Sequence, residues 1–398
     1  MMLRFVLATG IILLSTACQT NNKIDLIDTQ IEVLRQRFAP DKRVAIFQLK
    51  AVPSGANIIL KGETNLPAAK EAVFAFLEEQ AIPVVDSISM LPSAELSDKT
   101  YGVVRVSACN IRSKPSDSAE LSTQSTLGTP LRIYKQQGNW FYIQTPDGYL
   151  GWLYKGGFTR LDKAAFEQWQ ARERVVYLPE MGFSYASTEA NASVVSDLLA
   201  GNILALLAVE GDYLRVGYPD GREAYLQQSA VLPLSEWLQS RQPNPENILA
   251  TAQNWMGRPY LWGGTSGKGV DCSGFTKSVF YLNGLMLPRD ASQQVHVGKP
   301  IATDTTLVNL VPGDFLFFGT PATDTKKERI KHVAIYMGDG KIIHSAELVK
   351  IESLRRGDPD FAEDRLKTFL KAKRMLQTPN EFGIPMLASL PAYQPKGS

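Results

Sequence analysis

The first quarter of the chain alternates between two hydrophobic periodicities. Apolar side chains recur at helical spacing in two stretches, which predicts amphipathic helices, and the second stretch opens on Pro67, a favoured first-turn residue. Between and after these stretches apolar and polar side chains alternate, which predicts strands. The predicted order is helix, strand, strand, helix and strand over residues 24–38, 43–50, 56–61, 67–80 and 82–88. We expect a small αββαβ domain over residues 23–95 and assign it a packing or spacing role, because it has no cysteine, histidine or chemical motif.

The middle of the chain contains an internal repeat. Residues 128–153 align without gaps with residues 201–226 at an offset of 73, and each copy has short alternating strands and a Pro-Asp-Gly turn. Short strands separated by turn residues are typical of small all-β barrels. The identical pairs are Gly128 and Gly201, Leu131 and Leu204, Gly138 and Gly211, Pro146 and Pro219, Asp147 and Asp220, Gly148 and Gly221, and Leu153 and Leu226. We expect two barrels, over residues 100–162 and 175–235.

A lone cysteine lies at the predicted start of a later helix. Cys272 follows Asp271 directly, and apolar residues recur beyond it at helical spacing, at Phe275, Val279, Leu282, Leu285 and Met286. Asp271 suits the N-cap position because its side chain can accept from a free first-turn amide. A thiol in the first turn lies at the positive end of the helix dipole, which favours the nucleophilic thiolate. The alternative is a small buried hydrophobic side chain, and the local sequence does not decide between the two.

Two of the three histidines lie close together in a predicted hairpin. Residues 331–345 alternate as strand, turn and strand around Gly338-Asp339-Gly340. A three-residue loop would pair His332 with Ala346 and leave His344 diagonal to His332 on the same face. A two-residue turn would instead put the histidines on opposite faces. We favour the three-residue loop because its last residue is a glycine, which suits the left-handed position.

These histidines supply the partners that a cysteine nucleophile needs. A catalytic cysteine requires a general base and a residue that orients that base. One histidine alone more often has a structural role, but Cys272, His332 and His344 together predict a nucleophile, a base and an orienting residue. His296 lies outside this pattern, and we assign it a structural role.

Five ordered segments of the C-terminal half resemble one family. They are Gly257-Arg258-Pro259-Tyr260, the Asp-Cys-Ser-Gly-Phe box at 271–275, Leu287-Pro288-Arg289-Asp290, residues 312–318 and the hairpin from His332 to His344. Over residues 246–375 the chain is similar to the NlpC-type cell-wall cysteine peptidases, which have a papain-like fold. The resemblance implies hydrolysis of an amide bond in peptidoglycan stem peptides, usually after D-glutamate. It also implies that Cys272 is the nucleophile, His332 the general base and His344 the orienting member of a triad.

Further residues around the cysteine are assigned by chemistry and by the resemblance. A tetrahedral oxyanion needs hydrogen-bond donors, for which we expect the Cys272 backbone N–H and the Tyr260 hydroxyl; the alternative for Tyr260 is packing on the core. By resemblance, Ser273 and Asp290 contact the L-Ala-γ-D-Glu portion of the substrate. The next position is often serine in relatives but is Ala291 here, so one hydrogen bond is expected to be missing. The alternative for Asp290 is a surface ion pair of little consequence with the preceding arginine.

The two repeats resemble bacterial SH3 domains, the first more clearly. Two such barrels before an NlpC-type domain resemble the arrangement of γ-D-glutamyl-L-diamino-acid endopeptidases. The two repeats differ at two aligned positions: Glu120 aligns with Ser193, and Tyr149 aligns with Arg222. The resemblance implies that Glu120 and Tyr149 close one end of the groove and bind the free amine of an N-terminal L-alanine, so that freed stem peptides are preferred over intact wall. The alternative is a solvated charge at Glu120 and barrel packing by Tyr149.

Composition narrows the function classes. The 398 residues exceed a single core and indicate about three or four domains. The formal net charge is +2 with the charges well mixed, so we expect no nucleic-acid partner. Of the three cysteines, Cys18 belongs to the leader and Cys109 has no evident partner, so we expect no disulfide framework. We also expect no metal, no cofactor and a monomer.

The first residues have the composition of an export signal. The apolar run Phe5–Leu14 is too short to span a bilayer. Ser15-Thr16-Ala17-Cys18 resembles a lipoprotein signal, which implies removal of residues 1–17, acylation of Cys18 and a membrane-anchored protein in the cell envelope, facing the periplasm or the cell surface. The first of these four residues is serine where leucine is usual, and the alternative is plain secretion with cleavage near the alanine. We expect Gln19–Asn22 to form a short tether.

The predicted fold is multidomain α+β, with an αββαβ domain, two SH3-like barrels, a papain-like catalytic domain and an extended tail over residues 376–398. The polar segment Thr320–Lys331 is expected to form a surface loop. The preferred function is a cysteine endopeptidase that cleaves the bond from γ-D-glutamate to diaminopimelate or lysine in stem peptides. One alternative is an amidase or broader murein hydrolase on the same scaffold. Another is a catalytically weak wall-peptide-binding protein, against which the intact triad argues.

Overall fold

A computed structural model describes residues 5–55, 57–376 and 380–394. The chain forms two compact units. The first comprises the residues up to Ser97 together with Tyr134–Gln136, and the second comprises Asp98–Ile133 and the residues from Gln137 onwards.

The first unit has the predicted order of helices and strands. Its elements are α1 Phe5–Phe38, β1 Phe47–Ser54, β2 Asn57–Thr64, α2 Pro67–Glu79 and β3 Val85–Met90. Strand β2 pairs with β1 in the antiparallel sense and with β3 in the parallel sense. The two helices bury Ile27, Ile31, Val73 and Leu77 against Leu60 of the sheet. This burial of apolar surface stabilises the unit.

Helix α1 is longer than predicted. It continues through Gln19–Asn22, so the prediction of a tether there is wrong. The chain has no proline or glycine between Gly10 and Phe38, so nothing in that interval interrupts the helical hydrogen bonds. Residues 1–4 of the predicted signal peptide, and the side chains of residues 5–19, lie outside the described part of the chain. Within the part that is described, no helix has both the length and the apolar character required to span a bilayer.

Two barrels of the same topology follow. The first consists of β4 Tyr101–Val104, β5 Ala108–Arg112, β6 Leu121–Thr126, β7 Pro130–Gln137, β8 Trp140–Gln144, β9 Leu150–Tyr154 and β10 Phe158–Leu161. Helix α3 Lys163–Ala171 leads to the second, which consists of β11 Arg174–Tyr177, β12 Met181–Tyr185, β13 Val194–Leu199, β14 Ile203–Glu210, β15 Tyr213–Gly217, β16 Glu223–Gln227 and β17 Val231–Pro233. Helix α4 Leu234–Ser240 comes after it.

The repeat extends beyond the residues that predicted it. Every strand of the second barrel begins 73 residues after its counterpart in the first. The strand order is β10-β4-β7-β8-β9-β5-β6 in the first sheet and, read the same way, β17-β11-β14-β15-β16-β12-β13 in the second. Gly148 and Gly221, which end the Pro-Asp-Gly turns, have φ values of 85° and 87°. A glycine is favoured there because other residues rarely adopt positive φ.

The predicted catalytic domain packs one helix against an antiparallel sheet. Its helices are α5 Pro245–Gln253, α6 Cys272–Leu282, α7 Ala291–Gln294 and α8 Glu363–Thr368. Its strands are β18 Thr265–Ser266, β19 Gly269–Val270, β20 Lys299–Ile301, β21 Phe315–Thr320, β22 Arg329–Gly338, β23 Lys341–Ala346, β24 Leu348–Ser353 and β25 Phe369–Arg374. The main sheet has the order β20-β25-β21-β22-β23-β24. Phe275 and Val279 of α6 are fully buried in one core with Phe317 and Val333 of the sheet, which holds the start of α6 beside β22.

The C-terminal tail is packed rather than extended, so that prediction is wrong for residues 380–394. Leu387 and Tyr393 are buried in a cluster with Val176 and Trp237. The carbonyl of Tyr393 accepts a hydrogen bond from Arg174 at 3.3 Å. The tail's apolar residues recur at short intervals, and their burial outweighs the proline content that suggested an extended chain. Residues 377–379 and 395–398 of the predicted tail lie outside the described part.

Candidate active site

Cys272 is the first residue of α6, as predicted. Asp271 caps the helix, and its carboxylate accepts from the Gly274 amide at 2.7 Å. The thiol is buried in the core that joins the helix to the sheet, and the backbone N–H groups of Val333 and Ser273 donate to its sulfur. Val333 directly follows His332 in β22, so this contact joins the start of α6 to the strand that carries the predicted base.

The charge state of this thiol differs from the prediction. Burial, followed by the neighbouring Asp271 carboxylate, raises the pKa of Cys272 to about 11. The amides of Val333 and Ser273 act in the opposite direction but do not outweigh burial. The helix N-terminus therefore does not by itself produce a thiolate at neutral pH, and a base must remove the proton.

The two hairpin histidines form a buried pair. Nε2 of His332 lies 2.6 Å from Nδ1 of His344, and the rings meet edge to face with their centroids 4.9 Å apart. Burial, and then the neighbouring His344, lower the pKa of His332 well below its usual value of 6.5. Burial also lowers the pKa of His344. Both rings are therefore neutral at pH 7, and a neutral imidazole can accept a thiol proton.

The register of the hairpin is the predicted one, but the turn is not. Ile335 pairs with Ile343, which puts the two histidines on the same face. The connection is a two-residue turn of Asp339 and Gly340, with φ values of 53° and 74°, rather than a three-residue loop. A bulge between Tyr336 and Gly338 adds one residue on β22 and restores the register that the tight turn alone would have shifted.

A carboxylate that the sequence did not indicate lies behind the histidine pair. Oε2 of Glu352, on β24, is 2.9 Å from Nε2 of His344. The hydrogen bond from His344, followed by that from Lys350, lowers the pKa of Glu352 to about 2 although its partial burial acts the other way. Glu352 is therefore ionised at neutral pH.

Arg289 joins the cysteine box to the first barrel. Its guanidinium is 1% exposed and donates to both carboxylate oxygens of Asp271, at 3.1 and 2.6 Å. It also donates to the Ser273 hydroxyl at 3.0 Å and to the Thr123 hydroxyl of β6 at 3.0 Å. Burial alone would lower the pKa of Arg289, but the Asp271 carboxylate raises it. The alternative of a surface ion pair with Asp290 is wrong, because Arg289 is buried and pairs chiefly with Asp271.

Both predicted barrel residues face the catalytic domain. The Tyr149 hydroxyl donates to Oδ2 of Asp290 at 3.1 Å. Oε1 of Glu120 accepts from the indole N–H of Trp262 at 2.7 Å, and Trp262 is itself 63% exposed. The structure thus brings Glu120, Tyr149 and Asp290 to the surface that carries the Cys272 box, and their role in binding a free amine stays a prediction.

The first barrel lies close against this surface. Gly263 precedes the cysteine box with φ 79°, and a Cβ there would lie 2.1 Å from the backbone oxygen of Leu121. The Thr265 hydroxyl accepts from the Gln124 amide at 2.9 Å, and the Thr265 amide donates to the Gln124 side chain at 3.1 Å. Only a glycine at 263 permits this approach without displacing the barrel.

A buried ion pair connects α6 to the turn that carries Tyr149. Nζ of Lys277 lies 2.9 Å from Oδ2 of Asp147 and donates to the Leu287 carbonyl at 2.8 Å. The two charged side chains are only 14% and 7% exposed. Burial lowers the pKa of Lys277, whereas for Asp147 burial is outweighed by the lysine charge and the pKa is lowered.

Tyr260 and Ser273 have different surroundings. Tyr260 is half-buried, and burial, followed by the charge of the Cys272 thiolate, raises the pKa of its hydroxyl to about 12. It therefore remains a hydrogen-bond donor at neutral pH. The Ser273 hydroxyl donates to Asp271 at 3.2 Å and is buried. Ser273 thus belongs to the hydrogen-bond network of Asp271. The third histidine, His296, is exposed at the surface.

Four residues of this region have no assignment from the sequence. Trp262 stands in the glycine-rich stretch before the cysteine box, where an exposed tryptophan is a usable signal. Arg289, Lys277 and Glu352 give no such signal, because each becomes significant only through a partner distant in sequence or on a neighbouring strand.

A buried thiol at a helix N-terminus, in contact with one strand of an antiparallel sheet that carries a buried imidazole pair, defines a papain-like cysteine peptidase. The sequence profile of the NlpC/P60 family matches residues 257–362, and that of the bacterial dipeptidyl-peptidase SH3 domain matches residues 111–156. The chain belongs to the NlpC/P60 family of peptidoglycan hydrolases. Because the substrate of the family is the cell wall, the protein acts outside the cytoplasm.

Known relatives extend the match beyond the catalytic domain. The chain is 33% identical over 238 residues to the γ-D-glutamyl-L-lysine dipeptidyl-peptidase of Bacillus subtilis, covering 58% of this chain and 74% of the relative. It is 29% identical over 254 residues to the Bacillus cereus protein of the same name, covering 62% and 73%. The crystal structure of an NlpC/P60 family protein from Bacillus cereus covers 69% of this chain and 99% of its own, with a TM-score of 0.57 and 24% identity, and shows the same fold.

Proposed function

We propose that this peptidase hydrolyses the bond between γ-D-glutamate and the following diamino acid, diaminopimelate or lysine, in peptidoglycan stem peptides. Cys272 is the nucleophile, His332 the general base and His344 the orienting residue. The observation that carries the proposal is the buried His332–His344 pair, joined at 2.6 Å, in which His332 directly precedes the Val333 whose amide donates to the sulfur of Cys272. The names of the two Bacillus relatives, which specify a γ-D-glutamyl-L-lysine bond, support this substrate class.

The proposed reaction starts from a neutral thiol and a neutral imidazole. Burial favours the uncharged form of both Cys272 and His332, so His332 takes the thiol proton as the sulfur attacks the amide carbonyl. His332 then gives that proton to the departing amine, and a thioester remains. Water hydrolyses the thioester with His332 again as the base. The free acid and the thiol are regenerated.

Two donors are proposed for the oxyanion of the tetrahedral intermediates. The Cys272 backbone N–H lies in the first turn of α6, where amides have no partner within the helix. The Tyr260 hydroxyl stays protonated because its pKa is raised to about 12, by burial first and by the nearby Cys272 charge second. Donors placed before the reaction stabilise the oxyanion without reorganisation.

We also propose that the first barrel selects a free N-terminal amine. Glu120 supplies a carboxylate for the ammonium of L-alanine, and Tyr149 and Asp290 form the adjoining wall through their 3.1 Å hydrogen bond. A charge-assisted hydrogen bond of this kind contributes about 1.5–3 kcal/mol. Ser273 and Asp290 contact the L-Ala-γ-D-Glu portion of the substrate, and Ala291 lacks a hydroxyl that relatives often have at that position. Peptides already released from glycan are then the preferred substrates.

The protein is further proposed to be a monomeric lipoprotein anchored through Cys18. The support is the sequence of the leader, in which small residues precede Cys18 after a short apolar run. Palmitate labelling of the expressed full chain tests this. Labelling that is lost in Cys18→Ser is expected, and an unlabelled wild-type chain with the leader removed before Cys18 would favour plain secretion.

The experiment for the activity uses a synthetic tripeptide. L-Ala-γ-D-Glu-diaminopimelate and its lysine analogue are incubated with the mature protein, and the released dipeptide is quantified. Cys272→Ala should abolish release, because no other group replaces the sulfur. Cys109→Ala is the matched control, since Cys109 is also a buried free cysteine and burial raises its pKa to about 12. Absence of cleavage of either peptide, or equal activity of Cys272→Ala, would reject the proposed function.

A further inference from the structure

The carboxylate behind the histidine pair is aligned by the sheet. In the pairing of β23 with β24, His344 lies opposite Lys350 and Ile342 lies opposite Glu352. Glu352 is therefore diagonal to His344 on the same face, a position from which long side chains on neighbouring strands reach each other. The resulting Nε2–Oε2 distance is 2.9 Å, and the His344 ring is fully buried.

The consecutive contacts restrict where the protons lie. An ionised carboxylate can only accept, so the Nε2 of His344 that faces it carries the hydrogen. In the neutral ring Nδ1 of His344 is then an acceptor, and it receives the Nε2–H of His332 across 2.6 Å. Nδ1 of His332 is left without a hydrogen, as an acceptor for the Cys272 proton. The reverse tautomers would put a hydrogen on Nδ1 of His332 and remove its capacity as a base.

We propose that Glu352 is a positioning residue that fixes the tautomers of His344 and His332 and stabilises the imidazolium formed when Cys272 is deprotonated. The inference rests on the proposed roles of Cys272 and His332. Glu352 acts through the two rings and does not itself exchange a proton with the substrate.

The alignment of the contact agrees with a role during the reaction. The Glu352 oxygen lies within bonding distance of His344 Nε2 but off the axis of its N–H bond, so the directed hydrogen bond to the neutral ring is imperfect. Attraction to a protonated ring depends on distance rather than on alignment. The contact therefore strengthens when the histidine pair carries the proton taken from the thiol.

Other charges around the pair favour its neutral form. Lys350, on β24, and Arg365, on α8, both lower the pKa values of His332 and His344. Nζ of Lys350 is 2.7 Å from Oε1 of Glu352 and 3.4 Å from a carboxylate oxygen of Glu347. Asp271, at the start of α6, faces the thiol and raises its pKa. Among these groups Glu352 is the one that raises the pKa of His344.

Nuclear magnetic resonance of the imidazole nitrogens tests the tautomers without requiring activity. The chain has three histidines, so a ¹⁵N-histidine-labelled sample gives three ring systems, and exposed His296 is an internal reference. At neutral pH the wild-type spectrum should show hydrogen on Nε2 of both His332 and His344. Glu352→Ala should shift at least one of the two rings to a mixture of tautomers. Wild-type tautomers in Glu352→Ala would overturn the proposal.

Enzyme kinetics test whether the negative charge of Glu352 contributes to the reaction. Glu352→Gln keeps an oxygen that can accept from His344 but removes the negative charge, and it guards against a folding defect in the alanine variant. We expect kcat to fall about tenfold or more with KM little changed, and by no more than the 10²–10⁴-fold that a general base contributes in total. The acid limb of kcat/KM should move to lower pH by about one unit or more, because the protonated pair loses its counter-charge.

Lys350→Met is the matched control, on the same strand and face. It leaves Glu352 in place, so the tautomers should be those of the wild type, while the acid limb should move to higher pH. An unchanged acid limb in Glu352→Gln together with unchanged kcat would contradict the charge role. If the wild-type protein showed the expected tautomers but cleaved no stem peptide, the proposed function would fail while the tautomer assignment stood.

Discussion

Equivalent positions of the two barrels make different contacts. After the Pro-Asp-Gly turn of the first barrel, the Tyr149 hydroxyl reaches Asp290 of the catalytic domain at 3.1 Å. At the equivalent position of the second barrel, Arg222 turns back onto its own turn, with Nε 2.9 Å from Asp220 and its guanidinium 4.4 Å from the centre of the Tyr218 ring. Arg222 also donates to the Arg105 carbonyl of the first barrel at 2.8 Å. Tyr149 therefore contacts the catalytic domain, whereas Arg222 contacts its own turn and the first barrel.

The aspartates of these turns differ in the same way. Asp220 is paired chiefly with Arg222 of its own barrel, with Arg105 of the first barrel farther away at 3.9 Å, whereas Asp147 is paired with Lys277 of the catalytic helix. Glu120 accepts from Trp262, and the equivalent residue of the second barrel is the small Ser193. The backbone carbonyls of Glu120 and Ser193 nevertheless accept equivalent hydrogen bonds, from the amides of Ser113 and Ala186 respectively. The two barrels thus share the same backbone structure, and the surface next to each barrel determines which contacts its side chains make.

The largest effect is expected from Lys277→Met. Removing the lysine leaves the Asp147 carboxylate buried without a counter-charge, which should lower the free energy of unfolding by about 3–5 kcal/mol. Denaturant or thermal unfolding measures it. The control is Arg222→Met in the second barrel, where the partners are more exposed and about 1 kcal/mol or less is expected. Equal losses of unfolding free energy in the two variants would mean that the Asp147–Lys277 pair stabilises the protein no more than the Asp220–Arg222 pair does.

Glu120→Ser, which places the residue of the second barrel in the first, is expected to have the next largest effect. Loss of the ammonium partner should lower kcat/KM for a tripeptide with a free amine by about 10–150-fold, the equivalent of 1.5–3 kcal/mol. The reciprocal change Ser193→Glu should leave kcat/KM unchanged. If Glu120→Ser cleaved the free peptide as well as the wild type does, Glu120 would be a solvated charge.

Tyr149→Phe should have a smaller effect, because it removes only a neutral hydroxyl. The expected loss is about 0.5–1.5 kcal/mol, or roughly 2–12-fold in kcat/KM. The measurement is a double-mutant cycle with Asp290→Asn, in which the two effects should not add, since the residues share one hydrogen bond. Additive effects would mean that the hydrogen bond has no role in the reaction.

The smallest effect concerns the pH dependence of the Lys277→Met penalty. In the wild type the Asp147 pKa is lowered below 3.8, because Lys277 outweighs burial, so the contribution of the pair is present above pH 3.8 and is lost below it. In the variant burial is opposed only by the hydrogen bonds from the Thr145 hydroxyl and the Asp147 amide, so we expect the pKa of Asp147 to rise, and acidification from neutral pH then protonates it and relieves the penalty. Unfolding curves should therefore show the gap between wild type and variant narrowing as the pH falls towards 4. A constant gap would mean that Asp147 is not the group left unpaired.

Much of the fold follows from short-range patterns in the sequence. The repeat at an offset of 73 residues predicted both barrels. The Asp271 cap and the apolar stripe after it predicted the helix that carries Cys272. The hairpin register was also predicted, but through the wrong turn, because a bulge compensates for the shorter connection and leaves no clear mark in the sequence.

The remaining features depend on partners that are distant in the sequence. Arg289 stands between Pro288 and Asp290, and nothing near it in the sequence indicates that it contacts Thr123 of the first barrel. The raised pKa of Cys272 arises from burial against the sheet, which a helix-dipole argument does not include. The tail was expected to be extended because of its prolines, and its packing depends on a site formed by other elements.

The most direct test of the account is the preference for a free amine in a double exchange between the barrels. The ratio of kcat/KM for L-Ala-γ-D-Glu-diaminopimelate to that for its N-acetylated form is measured in three proteins: wild type, Glu120→Ser/Tyr149→Arg, and the reciprocal Ser193→Glu/Arg222→Tyr. We predict a ratio well above one in the wild type and the reciprocal variant, and a ratio near one in the first-barrel variant. A wild-type ratio near one, or a ratio that survives the first-barrel exchange, would contradict the claim that the first barrel selects the substrate.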